Sequence, residues 1–355
     1  MVLCLLPSVI AFLRTPTLRV DPGELRERIL ASGERPYQGY VSTFGQIKLP
    51  EVPAIEDVAA LFGTLRLRSW YAGPSKWRVA IMSTTGERDI YGTPEGTYAW
   101  DYEKNTTTLA LGEPQLSLRP PNAADLVPPD LARRMLMAEP DVSAIPARRI
   151  AGVDAAGLRI NPTDPATTIG RVDIWADPDT GLALQVEVTP RGLDQSVFTS
   201  RFLDFDRAAP AADVLVPRTP PDAGFVVTRA DAVAAAINDV APVPLPATLL
   251  GRQRLAAPGP LLVLGLTAYG PGLSTFVVLA LPGRVGFDAL NTARDHGALP
   301  VQLPGASAAY QTSTILINGL IVRNIGDRQN RRTYLLAGPV DPDVLRRAAT
   351  ELLGA

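Results

Sequence analysis

The alternation of apolar and polar residues is the strongest pattern in the chain, and it predicts many short strands. Residues 182 to 189 are the clearest case, because every second residue there is a large aliphatic one. Between 65 and 111, similar segments are separated by short turn sequences such as Gly73-Pro74, which predicts a β-meander. Further strands are predicted at 37–45, 147–160, 171–176, 196–206, 261–268, 274–281, 312–323 and 333–337.

Helical periodicity is confined to a few segments. Proline stands at or near the start of several of them, as is common in the first turn of a helix. We predict helices at 22–32, 55–62, 122–138 and 230–239, and a closing helix after Asp341-Pro342.

Aromatic residues are concentrated on the predicted meander, where three of the four tryptophans lie between residues 70 and 100. So much aromatic surface must either be buried in a core or face an apolar ligand. The helix at 122–138 adds leucine and flexible methionine, which suit an adaptable apolar wall, although ordinary core packing is the alternative. The candidate ligand-binding residues are Trp70, Trp77, Val79, Ile81, Tyr98, Trp100, Leu131, Met135, Leu136, Leu184 and Val186.

The composition is that of a globular protein and adds little chemistry. The 355 residues are 46% apolar and 20% charged, and the length suggests two domains. The formal net charge is only −2, which gives no electrostatic case for binding nucleic acid.

Two apolar segments bear on the location of the protein. Residues 2 to 13 are too few for a membrane span but match the apolar part of a secretory signal or a signal anchor, so we expect export or anchoring at the cell membrane. The positive residues that usually precede such a segment are missing, and a buried helix is the alternative. Residues 258 to 283 contain no charge, but Tyr269-Gly270-Pro271-Gly272 interrupts them, which favours two strands over a span.

Catalytic and metal-binding patterns are weak throughout the sequence. Cys4 is the only cysteine and His296 the only histidine, so a disulfide, a cysteine metal cluster and a conventional nucleophile–histidine pair have little support. Asp177 and Asp179 are best explained as turn residues. Asp204 and Asp206 share a strand face and leave a weak cation hypothesis open. We predict no enzymatic activity, no cofactor and no metal.

A basic turn is predicted near the C-terminus, between two strands at 327–332. A solvated hairpin tip is one interpretation of it. Contact with an acidic partner or a lipid head group is the other, with Arg328, Arg331 and Arg332 as candidate partner-binding residues.

Several segments resemble the LolA/MucB/RseB superfamily, and most closely the RseB-like proteins of actinobacteria. The similarity covers roughly residues 30–206 and is carried by the segments 37–41, 77–79, 96–101, 172–177 and 181–184. The segments 316–320 and 334–340 are similar to the smaller C-terminal domain of RseB.

The resemblance implies an α+β fold in which a large antiparallel sheet curves into an incomplete barrel with helices plugging its concave side. It also implies a smaller α+β C-terminal domain. We therefore expect a signal or anchor segment at 1–20, a half-barrel domain at 21–225, a linker with a short helix at 226–244 and the smaller domain at 245–355. Residues 49–63 form an insertion relative to the family and are expected to reshape the cavity.

The resemblance also implies a function. LolA-like members carry acyl chains of lipoproteins, and RseB-like members bind lipid-type signals and hold an anti-sigma factor. We therefore expect a non-enzymatic extracytoplasmic binding protein that holds an acyl chain, lipid or lipoprotein in the half-barrel, as carrier or sensor. The alternative is a protein-interaction module that regulates a membrane anti-sigma factor or transporter.

Overall fold

The computed structural model describes residues 18–46, 63–83, 86–112, 122–240, 243–255, 263–326 and 331–354. Of the segment expected at 1–20, only residues 18–20 fall on this part of the chain, and the helix predicted at 55–62 lies outside it. Within the described ranges, no helix is both long enough and apolar enough to cross a membrane.

The large sheet is built from the first twelve strands of the described chain. They are β1 (Tyr37–Gly45), β2 (Leu65–Gly73), β3 (Lys76–Met82), β4 (Glu87–Gly92), β5 (Gly96–Asp101), β6 (Thr106–Leu111), β7 (Val142–Ile150), β8 (Val153–Ile160), β9 (Ile169–Ala176), β10 (Ala183–Pro190), β11 (Phe198–Asp206) and β12 (Gly224–Arg229). Their order in the sheet is β12-β6-β5-β4-β3-β2-β1-β11-β10-β9-β8-β7. The predicted meander from β2 to β6 is confirmed, and the sheet is not closed into a barrel.

One edge of the sheet differs from the prediction. Neighbouring strands are antiparallel except β12, which pairs with β6 in parallel, so the sheet is mixed and not purely antiparallel. Strands β7 to β11 lie between β6 and β12 in the chain, so no hairpin joins this pair and forces it to be antiparallel.

Two helices cover one face of this sheet. Helix α1 (Pro22–Ala31) begins after Asp21, whose carboxylate accepts the Glu24 N–H at 3.0 Å, and α2 (Pro128–Ala138) begins with two prolines. A 3₁₀ turn at Ala123–Leu126 precedes α2. Both helices contribute buried side chains to one core with the strands, which confirms the predicted α+β class. We call this side of the sheet the helix face and the opposite side the outer face.

The small sheet contains the strands that follow, apart from a two-stranded ladder formed by β13 (Thr248–Leu249) and β14 (Arg252–Gln253). Its strands are β15 (Leu266–Tyr269), β16 (Phe276–Pro282), β17 (Leu299–Pro300), β18 (Ala306–Ser313), β19 (Asn318–Asn324) and β20 (Arg332–Gly338). Their order is β15-β16-β20-β19-β18-β17. Because β15 and β16 pair antiparallel, the prediction of two strands within the apolar segment 258–283 is confirmed.

Three further helices lie in the described part of the chain after β12. Helix α3 (Ala230–Val240) follows β12 directly, α4 (Gly283–Asp295) follows β16, and α5 (Pro342–Gly354) closes the small sheet with Val344, Leu345 and Ala348 buried. A second hydrophobic core lies between α5 and the small sheet. The predicted boundary between the half-barrel domain and the linker, at residue 225, falls inside β12. The division into domains stays a prediction.

The two sheets are joined by the loop between β8 and β9. The Thr167 hydroxyl donates to the carbonyl oxygens of Leu273 (2.8 Å) and Pro339 (3.0 Å), and Thr167 also forms a β-bridge with Val340. Leu273 and Leu316, which belong to the small-sheet part of the sequence, are buried in the core of the large sheet. The two sheets therefore share buried surface as well as hydrogen bonds.

Asp164 is the charged centre of this junction. Its carboxylate accepts hydrogen bonds from Ser274 (2.6 Å), Arg252 (2.9 Å) and the Ala166 N–H (2.8 Å). Burial by itself would raise the pKa of Asp164, but these donors outweigh it and hold the pKa below its ordinary value. The carboxylate is therefore ionised at neutral pH and holds segments of both sheets.

Candidate functional site

Eight of the eleven predicted ligand-binding residues are brought together on the helix face. Five of them are buried in the core between α2 and the sheet: Val79, Leu131, Leu136, Leu184 and Val186. The other three, Trp77, Ile81 and Met135, are half-buried and pack against that core. These side chains already contact an apolar core, so core packing accounts for most of the predicted lining.

The remaining three predicted residues, Trp70, Tyr98 and Trp100, lie on the outer face. Strand register decides this, because side chains of directly paired residues point to the same side of a sheet. Trp77 pairs with Gly92, whereas Tyr98 pairs with the neighbouring Tyr91. The sequence analysis grouped these three aromatic residues with Trp77 as the lining of one cavity, and this grouping is wrong because they lie on the opposite face of the sheet. Alternation within a strand is visible in the sequence, but the face that one strand shares with another is not.

The outer-face aromatic residues surround charged groups. The Arg78 guanidinium lies 4.8 Å from the ring centre of Trp70 and 5.3 Å from that of Tyr91, and it binds the Asp89 carboxylate with two hydrogen bonds of 2.9 Å. Burial, followed by the charge of Asp89, raises the pKa of Tyr91 to about 12. Cation–π contacts of this kind stabilise a fixed arrangement, which does not resemble the wall of an apolar pocket.

A groove crosses the outer face at the centre of the large sheet, with a volume of about 400 Å³. It runs over β10, β11, β1 and the start of β2, and each of these strands contributes outward side chains. The register aligns these side chains in two rows across the strands. The first row is Gln185, Arg201, Ser42 and Arg66, and the second is Glu187, Thr199, Phe44 and Thr64.

The charges in this groove are unevenly paired. Glu187 accepts hydrogen bonds from Arg148 at 2.8 Å and from Gln185 at 2.5 Å. Arg66 donates to the Ser42 hydroxyl, and neither Arg66 nor Arg201 forms an ion pair with a carboxylate in the described part of the chain. Phe44 is 47% exposed beside them. The groove thus offers two guanidinium groups and an exposed aromatic ring, which suits an acidic and partly apolar segment.

The groove was missed in the sequence analysis. Arg66, Arg201 and Phe44 come from three separate strands, and only the pairing of β2 with β1 and of β1 with β11 makes them neighbours. The signal that could have found them is the arginine on the polar side of the alternation in β2 and in β11.

His296 and Asp177 have ordinary structural roles. His296 is exposed, and its Nδ1 lies 2.8 Å from the Thr292 carbonyl oxygen. Buried Asp177 accepts hydrogen bonds from Thr180 and Arg207, as expected of a turn residue. Across the described ranges, no three His, Cys, Asp or Glu side chains are close enough to hold a metal ion. Arg331 and Arg332 are exposed, and Arg328 lies outside the described residues.

No protein-family profile and no curated protein matches the sequence. Among solved structures, the MucA/MucB complex of Pseudomonas aeruginosa contains a chain that matches with a TM-score of 0.54 and 18% identity, covering 93% of this chain and 97% of that one. A structure of MucB in complex with MucA(peri) matches with a TM-score of 0.52 and 16% identity over the same shares. The match to a LolA superfamily protein from Nitrosomonas europaea covers 56% of this chain and 99% of that protein at 11% identity. Its TM-score of 0.27 is too low to support a shared fold. The chain therefore has the fold of MucB, which confirms the fold that the resemblance implied.

Proposed function

We propose that the chain is a non-enzymatic extracytoplasmic regulator that binds a protein partner at the cell membrane, such as an anti-sigma factor. The fold supports this proposal, because the match to MucB extends over both sheets and the two MucB structures described above are complexes with MucA. The observation that carries it is the outer groove, where Arg66 and Arg201 lack carboxylate partners within the described ranges and Phe44 is exposed.

The groove suits an extended segment with acidic and apolar side chains. Arg66 and Arg201 lie on strands separated by β1, so their backbones are about 10 Å apart. Each guanidinium can bind one carboxylate with two parallel hydrogen bonds, and the exposed ring of Phe44 can bury an apolar side chain of the same segment. We therefore prefer a protein partner over a lipid as the ligand, because most side chains predicted to line a lipid cavity pack in the core.

Replacing both arginines tests the proposal. We expect Arg66→Gln/Arg201→Gln to reduce the amount of partner that co-purifies from cell envelopes by tenfold or more, since a lost charge-assisted hydrogen bond costs about 1.5–3 kcal/mol and 1.4 kcal/mol is tenfold in affinity. Arg68→Gln is the control, because Arg68 is exposed on the same strand and face but stacks over Trp70, outside the groove. Partner recovery that the double variant leaves unchanged would contradict the assignment of the groove.

An apolar ligand on the helix face is the second candidate. The observation in its favour is that Trp77, Ile81 and Met135 stay half-buried at the border of the core, where an acyl chain could extend the apolar contact. We expect Met135→Asp to abolish uptake of a fluorescent fatty acid while the circular dichroism spectrum is kept. Met137→Asp is the control, because Met137 lies on the same helix and is 69% exposed. If both variants take up fatty acid like the parent, this candidate is excluded.

A further inference from the structure

One corner of the small sheet combines positive charge with exposed apolar side chains. It is formed by the first turns of α4, the end of β19 and the start of β20, and we call it the basic rim. Its members are Arg284, Val285, Phe287, Arg323, Ile325, Arg331 and Arg332. None of these residues belongs to the outer groove or to the helix face of the large sheet.

Direct contacts hold the rim together. The Arg323 guanidinium lies 5.0 Å from the ring centre of Phe287, which links β19 to α4. The Gly283 N–H donates to the Arg331 carbonyl oxygen, and the Arg331 side chain donates to the Gly326 carbonyl oxygen at 2.8 Å, which links α4 and the end of β19 to β20. Burial and then the charge of Arg331 lower the pKa of Arg323. The rim is therefore a single patch in which cations lie close to one another.

The apolar members of the rim face solvent. Ile325 is 70% exposed, Phe287 48% and Val285 46%. Among the described residues, the acidic side chain paired with the rim is Asp288, whose carboxylate lies 3.8 Å from the Arg284 guanidinium. The Arg284 side chain is nevertheless 94% exposed. For Arg331 and Arg332, the described ranges contain no ion pair. Both the positive charge and the apolar side chains of the rim are thus available to a partner.

We propose that the basic rim docks the small sheet on an anionic membrane surface. Arginine is attracted to anionic lipid head groups, and its long apolar stem can lie along the interface while the guanidinium stays among the phosphates. Exposed isoleucine, valine and phenylalanine side chains between such arginines can enter the boundary between head groups and acyl chains. A fluid lipid surface fits the rim because its apolar side chains project from two separate elements, α4 and the end of β19, and are interspersed with charge.

This membrane contact goes beyond the proposed regulator function. It uses residues on a different sheet from the outer groove and requires no protein partner. It assigns Arg331 and Arg332 to lipid head groups, one of the contacts that the sequence analysis left open for the basic turn beside a solvated hairpin tip.

Vesicle sedimentation with the full chain tests the proposal. We expect the protein to sediment with vesicles of 70% phosphatidylcholine and 30% phosphatidylglycerol, but not with pure phosphatidylcholine, and to be released when sodium chloride is raised to about 0.5 M, where screening shortens the reach of charges. Arg331→Gln/Arg332→Gln is expected to weaken binding by tenfold or more. Ile325→Ser should weaken it several-fold without changing its salt dependence.

The control is Arg68→Gln/Arg347→Gln, which removes the same charge from exposed positions on β2 and α5, outside the rim. Equal losses in the two double variants would overturn the proposal, because binding would then depend only on net charge. Failure of the parent protein to bind anionic vesicles would also overturn it.

If Arg331→Gln/Arg332→Gln instead lost a protein partner and kept vesicle binding, the rim would be a protein contact. Arg66→Gln/Arg201→Gln should bind vesicles like the parent, which separates this test from that of the groove.

Discussion

Replacing Leu136 by alanine is expected to lower the free energy of unfolding by about 2–5 kcal/mol, the range for a leucine removed from a packed core. Leu136 is fully buried in the core that α2 forms with the sheet, and Leu184 and Val186 belong to the same core. Its loss removes apolar contacts and leaves a cavity that the surrounding strands cannot close. Urea denaturation followed by circular dichroism measures the change.

Met137→Ala is the matched control for this substitution. Met137 follows Leu136 on the same helix but is 69% exposed, so its change should stay within about 0.5 kcal/mol. If Leu136→Ala were as mild as the control, Leu136 would lie beside an unfilled space, and the lipid hypothesis would again be preferred.

Replacing Gly272 by alanine is expected to loosen the junction between the two sheets. Gly272 has a φ of +50°, and a Cβ atom there would overlap the carbonyl oxygen of Ala138 at the end of α2. Backbone atoms cannot move aside as a flexible side chain can, so the 3₁₀ turn at Gly272–Ser274 must shift, and the hydrogen bond from Thr167 to Leu273 with it. We expect a loss of about 2–4 kcal/mol in the free energy of unfolding, from strain and a lost buried contact together.

Gly251→Ala is the control for Gly272→Ala. Gly251 also has positive φ, at +70°, but no atom lies within 4 Å of the position of its Cβ. This variant should show only the conformational cost of about 1 kcal/mol. Limited proteolysis should cut Gly272→Ala between the two sheets faster than Gly251→Ala. Equal stability and equal cleavage of the two variants would contradict the close packing at Gly272.

The sequence was most informative where one strand or helix determines the outcome alone. The alternation along 182–189 predicted which side of β10 faces the core, and Leu184 and Val186 are indeed there. The other side was expected to face solvent, but Ala183, Gln185 and Thr189 are buried too. The closing helix after Asp341-Pro342 was predicted in the same way, because capping and periodicity are local properties. The helix predicted at 122–138 begins only at Pro128, after a 3₁₀ turn.

The sequence was least informative where two strands must be placed relative to each other. Trp77 and Trp100 both alternate correctly within their strands, but the register from β3 through β4 to β5 puts them on opposite faces. The outer groove depends in the same way on pairing between β1 and β11, which are far apart in the sequence. A one-residue shift of register would reverse these faces, and local sequence patterns do not fix it.

Site-specific photo-cross-linking in living cells tests whether the outer groove holds a protein partner. A photoreactive phenylalanine at position 44 lies in the groove, whereas the same residue at position 102 is exposed (Tyr102, 62%) at the end of the β5–β6 hairpin. We predict a covalent adduct with one envelope protein from position 44, none with that protein from position 102, and loss of the adduct in Arg66→Gln/Arg201→Gln. Equal adducts from both positions, or only lipid adducts from position 44, would contradict the claim.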